Sequence, residues 1–163
     1  MEESGAMDAR TASNEVLEQF PLALLTLVRT AQAQNGVKHG DYPRYRQHCT
    51  NKLRTLYKVL KFQHGRTKYI KRTIDHSTVT DVRFLHITLF SAERAWAYAM
   101  EMKKKIEGNP DAQMKRHLVT RMRKAAAWSR ELARLAAVRA DVRGALEAEA
   151  YSAWLAGVAL VEG

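Results

Sequence analysis

Residues 84–100 read FLHITLFSAERAWAYAM, and this stretch decides the fold. At 100° per residue its apolar side chains fall on nearly every side of a helix, which is typical of a helix buried by neighbours on all sides. We predict that this helix starts at a Thr80 cap, runs to Ile106 and is closed by the Gly-Asn-Pro sequence at 108–110. It should be the central helix of the domain, with Trp96 in the core.

Apolar periodicity and capping signals predict four further helices around this one. They span about 22–34, 41–62, 111–138 and 141–163, and an aspartate precedes each of the last three. Between the second and third helices, residues 63–80 lose periodicity and are predicted to form a long basic loop. No segment alternates polar and apolar residues with turns on both sides, so a sheet is not expected. We predict an all-α fold of about five helices packed as stacked antiparallel hairpins.

The 163 residues are enough for one domain with a proper core. We expect residues 1–13 to be a flexible N-terminus and residues 14–163 to form a single helical domain. Part of the N-terminus can be interpreted as a cloning remnant. Cys49 is the single cysteine, which excludes an internal disulfide. The longest strongly apolar run, 21–28, is far shorter than a membrane span, and the acidic start does not resemble a signal peptide.

The basic residues are concentrated in two blocks. The chain has 27 Lys and Arg against 17 Asp and Glu, a net charge of +10. Residues 29–72 hold twelve of these cations against one acid, a net charge of +11, and residues 103–124 have a net charge of +6, while the other segments are net negative. Such clustering favours a polyanionic partner over a charge that merely keeps the protein in solution, although two solvated helix faces would give the same pattern.

The second and fourth predicted helices each carry cations on one side. In the second, the apolar stripe that includes Tyr45, Cys49 and Leu53 faces away from the basic residues, which predicts a buried side and a cationic side. Phosphate contacts by Lys and Arg, with release of counterions, are the chemistry that such a side supports. The candidate RNA-binding residues are Lys38, Arg44, Arg46, Lys52, Arg54, Lys58, Lys61, Arg66, Lys68, Tyr69, Lys71, Arg72, Arg116, Arg121, Arg123 and Lys124.

Two of these candidates have specific alternatives. Tyr69 lies between basic residues of the loop and is the best candidate for stacking on a base, whereas Tyr42 and Tyr45 lie on the apolar stripe and are expected in the core. Arg46 lies near the edge of that stripe, so an ion pair with Glu93 and a contact with RNA are equal alternatives. RNA is favoured over DNA because no signature of a DNA-binding fold is present.

Catalysis has little support in the sequence. The six histidines do not follow a metal-ligand spacing, and neighbouring His48 and Cys49 point in different directions on a helix. Phosphate-binding and nucleophile motifs are absent, and Glu147 and Glu149 face different sides of their helix. We therefore predict that the protein is not an enzyme and has no cofactor, no metal and no small-molecule substrate.

Four blocks of the sequence resemble one known family. Residues 39–49, HGDYPRYRQHC, resemble the H-G-D-x-x-R-Y-R-x-x-C run of the 68-kilodalton subunit family of the eukaryotic signal recognition particle. Residues 92–100 (AERAWAYAM), 117–125 and 146–151 resemble the family's later blocks in the same order. The first two blocks are long and unusual in composition, so they carry most of the resemblance.

The resemblance implies a tetratricopeptide-like, RNA-binding domain. Its implied ligand is the particle's RNA at the three-way junction of the S domain, where an arginine-rich helical segment enters the major groove and stabilises or remodels the RNA during particle assembly. That assembly serves co-translational targeting to the endoplasmic reticulum. By position the implied contacts include Arg44, Arg46 and Arg54 in the second helix and, in the fourth, Arg121, Arg123 and Lys124.

The resemblance also implies partners and a location. The 72-kilodalton subunit would bind a C-terminal region absent from this sequence, and the protein would be cytoplasmic with a nucleolar assembly stage. Membrane insertion is not expected, because the apolar faces are needed for the core. The main alternative function is a basic helical module that docks an acidic protein partner.

Overall fold

The computed structural model describes residues 17–62 and 73–163. Within those residues the fold is all-α: five α-helices form, with one 3-10 turn at Val37–His39 and no strand. The helices are α1 Leu24–Gln34, α2 Tyr42–Val59, α3 Arg83–Gly108, α4 Ala112–Arg139 and α5 Val142–Glu162. The predicted fold class is therefore confirmed, whereas the predicted flexible segment at 1–13 lies outside the described residues.

Consecutive helices make the main contacts, and α3 is central. The extensive interfaces are those of α2 with α3, α3 with α4, and α4 with α5. Two or three residues connect α3 to α4 and α4 to α5, so each pair forms an antiparallel hairpin. Trp96 on α3 is only 8% exposed and packs edge-on against Tyr42 and Tyr45 of α2. This confirms the prediction made from residues 84–100.

Three of the predicted helix caps are present, and one is wrong. The carboxylates of Asp41, Asp111 and Asp141 each accept a hydrogen bond from a backbone N–H in the first turn of the helix that follows. Thr80 does not cap α3. The helix begins at Arg83, whose N–H donates to the Asp81 carboxylate at 2.8 Å, so the acid nearer the helix satisfies the free donor. At its other end α2 stops at Val59, short of the predicted 62.

The segment before α1 is extended, although helix was predicted from residue 22. Phe20 and Ala140 form an isolated parallel bridge, in which the Phe20 N–H donates to the Arg139 carbonyl and the Asp141 N–H donates to the Phe20 carbonyl. The Asp141 carboxylate also accepts from the Leu22 N–H at 3.1 Å. These backbone bonds replace the first helical turn, because the connection between α4 and α5 offers the segment its partners.

The described end of the predicted loop is anchored by a buried arginine. Arg139 of α4 donates to the Val79 carbonyl from Nε and Nη2, at 3.0 and 2.6 Å, and its guanidinium lies over the Phe20 ring. Val79 and Ile74 are buried beside it. Residues 73–80 are non-helical, as predicted, residues 81–82 extend the non-helical segment beyond the prediction, and residues 63–72 of the loop lie outside the described part of the chain.

A buried carboxylate joins four helices at the centre of the core. Glu93 of α3 accepts hydrogen bonds from the hydroxyls of Tyr45 on α2 and Tyr151 on α5 and from the Gln32 amide on α1, each at 2.7 Å. Burial raises the pKa of Glu93, and the three donors oppose that shift. Cys49 is also buried, as predicted, and burial raises the pKa of its thiol to about 12. We call Glu93 with its three donors the buried acid cluster.

Candidate nucleic-acid interface

The side of α2 that was predicted to be basic is exposed. Arg44, Arg54, Lys58 and Lys61 are accessible, while Tyr45, Cys49, Leu53 and Leu56 on the opposite stripe are buried. Tyr45 is thus a core residue, as expected, and is not available to a base. Lys38 is exposed in the 3-10 turn before α2.

Two groups of candidate RNA-binding residues do not belong to this exposed side of α2. Lys52 is half-buried, and its ammonium lies 5.9 Å from the centre of the Phe90 ring. The loop candidates lie outside the described residues: they are Arg66, Lys68, Tyr69, Lys71 and Arg72.

The basic residues predicted on α4 lie on different sides of the helix. Arg116 and Arg123 are exposed, but Arg123 lines a groove toward α5 together with Arg130 and Leu160. Arg121 and Lys124 instead line a second cleft that faces α2 and α3. Arg121 and Arg123 are two residues apart, which places them about 200° apart around the helix and explains the division.

The second cleft brings residues of α2, α3 and α4 together. It has a volume of about 280 Å³ and is open to solvent on one side. Its lining comprises Arg46 and Thr50 of α2, Ser91, Arg94, Ala95 and Tyr98 of α3, and Arg121 and Lys124 of α4. We call it the cationic cleft. One predicted residue of α2, Arg46, and two of α4, Arg121 and Lys124, therefore share one concave site.

Tyr98 is packed between the cations of this cleft. The Arg46 guanidinium carbon lies 4.5 Å from the centre of the Tyr98 ring, and that of Arg121 lies 4.7 Å from it. Both distances are in the range of favourable cation–π contacts. The ring thus holds an arginine of α2 and an arginine of α4 in fixed positions around α3.

Arg46 makes an ion pair, but its partner is not the predicted Glu93. Its Nε lies 2.9 Å from an oxygen of Glu101, an acid of α3 that is also 3.3 Å from the Lys105 ammonium. Glu93 is unavailable because its oxygens already accept from the donors of the buried acid cluster. The expected structural ion pair of Arg46 is therefore present, but its acid is Glu101 and not Glu93.

The other three cations of the cleft have no acid beside them. Within residues 17–62 and 73–163, no carboxylate lies at ion-pair distance from Arg94, Arg121 or Lys124. Burial, together with the charges of Arg121 and Arg94, lowers the pKa of Lys124. Three cations that repel one another around a concave surface form a site for an anion.

Sequence reasoning missed two residues of this cleft, Arg94 and Tyr98. Both lie in a helix that was predicted to be apolar on nearly every side, so neither was named as a site residue. A signal was nevertheless present: Ser91, Arg94, Tyr98, Glu101 and Lys105 fall within about 80° on a helical wheel. A polar stripe along an otherwise buried helix indicates the one side on which that helix is not covered.

The described residues, 17–62 and 73–163, contain neither a metal-binding cluster nor a membrane-spanning helix. No group of three His, Cys, Asp or Glu side chains there could hold a metal ion. None of the described helices combines the length and the apolar character needed to cross a bilayer.

Comparison with known proteins assigns the chain to a family. The family model described as RNA-binding signal recognition particle 68 matches residues 37–163, which include α2 to α5 and every residue of the cationic cleft. The chain belongs to this family. The assignment agrees with the resemblance found in residues 39–49 and 92–100.

Curated members of the SRP68 family show the same similarity along nearly the whole chain. The signal recognition particle subunit SRP68 of Drosophila melanogaster is 39% identical over 163 residues, 94% of this chain. The subunits of Dictyostelium discoideum and Caenorhabditis elegans are each 35% identical, over 85% and 93% of this chain. The alignments cover 27%, 24% and 26% of those proteins, so the chain spans about a quarter of their length.

A solved structure of an SRP68 domain has the same fold. The SRP68-RBD from Chaetomium thermophilum superposes with a TM-score of 0.75 at 30% sequence identity, covering 85% of this chain and 67% of that one. The all-α architecture described above is therefore the fold of this SRP68 domain.

Proposed function

We propose that this chain is an RNA-binding module that holds signal recognition particle RNA during particle assembly. Membership of the RNA-binding SRP68 family supports the ligand class. The observation that carries the proposal is the cationic cleft, where Arg94, Arg121 and Lys124 face a concave site without an acid beside them. The role is one of binding and positioning rather than catalysis.

Affinity and specificity would come from different features of the interface. Lys and Arg on α2 and α4 neutralise phosphates and release counterions, which supplies most of the affinity and carries little sequence information. Specificity would follow from the shape of the RNA. We propose that the preferred shape is the three-way junction of the S domain, which the module stabilises or remodels by contact with its basic helices.

We propose that further contacts of the whole protein are made by parts of the longer relatives that this chain does not cover. We propose that a C-terminal region of the full-length protein binds the 72-kilodalton subunit. The particle would act in the cytoplasm in co-translational targeting to the endoplasmic reticulum, after a nucleolar assembly stage.

A salt series of RNA binding tests the proposed function. The competitors are the S-domain junction RNA, a plain RNA duplex of equal length, duplex DNA and a poly-glutamate peptide. We expect the junction to bind at least about tenfold more tightly than the duplexes, and this preference to persist as salt rises, because shape is not screened. Equal affinities that collapse together would contradict the proposal. Equal binding of the acidic peptide would favour the alternative of an acidic protein partner.

A pair of charge reversals locates the surface on α2. Arg54→Glu with Lys58→Glu replaces two exposed cations and should lower RNA affinity by roughly tenfold or more, because two phosphate contacts become repulsions. The matched control, Arg29→Glu with Arg143→Glu, makes the same change in charge on exposed residues of α1 and α5. Unchanged affinity in the α2 variant, or an equal loss in the control, would mean that this surface is wrongly placed.

A further inference from the structure

We propose that the cationic cleft is a discrete phosphate site, which takes one phosphodiester group of a bent RNA strand and holds it through Arg94, Arg121 and Lys124. This inference rests on the proposed function and adds to it a specific pocket, its ligand group and the source of the preference for bent RNA. In this proposal the cleft and the exposed cations of α2 have different roles, because the cations of α2 contact phosphates on an open surface.

The size and the walls of the cleft fit a bound group rather than a passing contact. Its volume of about 280 Å³ is near the lower end of the range for small-ligand sites and exceeds the needs of a water molecule. Ser91, which is almost fully buried, forms part of the lining, so the cleft reaches down to the core of the domain. Three packed helices supply the walls, which keeps the cations in place before any ligand arrives.

The cations of the cleft repel one another, and a bound phosphate would remove that repulsion. Lys124 lies beside Arg121 and Arg94. No carboxylate of the described residues lies at ion-pair distance from any of the three. Protein charges that only stabilise a fold are normally paired when they are partly withdrawn from water. A phosphate oxygen placed among these three groups would convert their mutual repulsion into charge-assisted hydrogen bonds.

Arg46 has a different role from the other three cations. Glu101 already compensates its charge, at 2.9 Å from Nε, and its guanidinium is packed on the Tyr98 ring. We assign Arg46 and Tyr98 as positioning residues. They hold Arg121 from the opposite helix at the edge of the cleft, and the phosphate bonds to Arg94, Arg121 and Lys124.

The position of the cations around a cleft between three helices explains a preference for bent RNA. In a regular duplex the phosphates follow two smooth strands, which an exposed helix face such as that of α2 can contact. A phosphate can enter a cleft between three helices more readily when the strand turns sharply and projects that group outward. The α2 surface should therefore bind any RNA duplex, whereas the cationic cleft should add affinity for a junction.

Inorganic phosphate tests the site without RNA. Side-chain NMR signals of the Lys ammonium and Arg Nε groups would be followed during a phosphate titration of the folded protein. We expect saturable shifts at Arg94, Arg121 and Lys124, and a higher pKa of Lys124 when phosphate is bound. Lys115, exposed on the same helix outside the cleft, serves as the internal control. Shifts of the same size and midpoint at Lys115 would mean unspecific charge screening and would overturn the site.

RNA binding by a cleft variant tests the preference. Arg94→Gln with Lys124→Gln should lower the junction-over-duplex preference by roughly tenfold or more and leave duplex affinity nearly unchanged. The control, Lys115→Gln with Arg130→Gln, removes the same charge from exposed residues of α4 and should leave the preference intact. Thermal unfolding checks that both variants fold, and Lys124→Gln alone gives the same test with one exposed residue changed.

The outcomes separate this inference from the proposed function. If the wild type shows no preference for the junction, the proposed function fails first. If the wild type prefers the junction and the cleft variant keeps that preference, the RNA is bound elsewhere and the phosphate site is overturned. An equal loss of junction and duplex affinity in the cleft variant would likewise overturn it, because the cleft would then be part of the general basic surface.

Discussion

Glu93 and Arg94 are neighbours in the sequence, yet they belong to two opposite kinds of charged site. Glu93 points into the core, where Tyr45, Tyr151 and Gln32 donate to its oxygens. Arg94 lines the cationic cleft, where its charge lowers the pKa of the like-charged Lys124. The turn of about 100° between consecutive helical residues is enough to place them in different environments.

The difference teaches how this fold uses its charges. In the buried acid cluster the polar groups are completed by donors from three other helices, so the cluster can stabilise only the fold itself. In the cationic cleft, Arg94, Arg121 and Lys124 have no acid at ion-pair distance in the described part of the chain, and solvent reaches them. Incomplete compensation at a rigid, concave position is the mark of a ligand site here, whereas burial of a charge by itself is not.

The largest expected effect comes from opening the buried acid cluster. Glu93→Ala should lower the free energy of unfolding by about 3–5 kcal/mol, because three buried donors lose their acceptor and a cavity is left. Urea unfolding measures this value, and exposed Glu149→Ala is the control with an expected change below about 0.5 kcal/mol. A loss below about 1 kcal/mol for Glu93→Ala would mean that the cluster does not hold the four helices together.

A pH series on Glu93→Gln sharpens the same point. Because the pKa of Glu93 is raised in the folded state, the folded protein binds its proton more tightly than the unfolded chain does. The contribution of Glu93 to stability is complete below its ordinary pKa near 4.5 and is lost as pH rises through the folded value. The stability of the wild type relative to Glu93→Gln should therefore fall above pH 4.5, by at most about 1.4 kcal/mol per pH unit.

Urea unfolding of the two proteins between pH 4 and 8 gives this difference, in which the titration of all other groups cancels. A difference that stays constant with pH would show that Glu93 keeps its ordinary pKa in the fold. A difference that rises with pH would reverse the sign, and would mean that the three donors outweigh burial.

The smallest effect is expected in the cationic cleft. Burial and two neighbouring cations lower the pKa of Lys124, so its charged form is less favoured in the folded protein than in the unfolded chain. Lys124→Gln should leave the free energy of unfolding unchanged or raise it by less than about 1 kcal/mol, since the side chain is exposed and solvent screens the repulsion. Urea unfolding at low salt measures this change. A loss above about 1 kcal/mol would place Lys124 among the residues that hold the fold together.

Local signals in the sequence predicted the helices well and failed where tertiary contacts decide. The aspartates at 41, 111 and 141 were recognisable as caps because a cap depends on a few adjacent residues. Leu22 was placed in α1 because it is apolar, but Asp141 from another hairpin holds it in an extended segment. The Thr80 cap failed because Asp81, one residue closer, accepts the free N–H of Arg83.

The candidate site was predicted in part. The exposed side of α2 followed from the position of its cations opposite the apolar stripe, and the described members of that set are exposed. The division of the α4 cations and the contribution of Arg94 were not predicted, because each depends on which helix packs on which side of α3 and α4. The polar stripe of α3 indicated an uncovered side without saying what would lie across from it.

By itself the sequence determined that this protein is all-α, that residues 84–100 are its central helix and that its cations are clustered. Each of these depends on the order of residues along one helix, through the 3.6-residue repeat and the local capping bonds. Only the tertiary structure decided that Glu93 would be enclosed by donors from three helices and that Arg94, Arg121 and Lys124 would share one cleft. Those arrangements join residues far apart in the chain, and packing around α3 sets their distances.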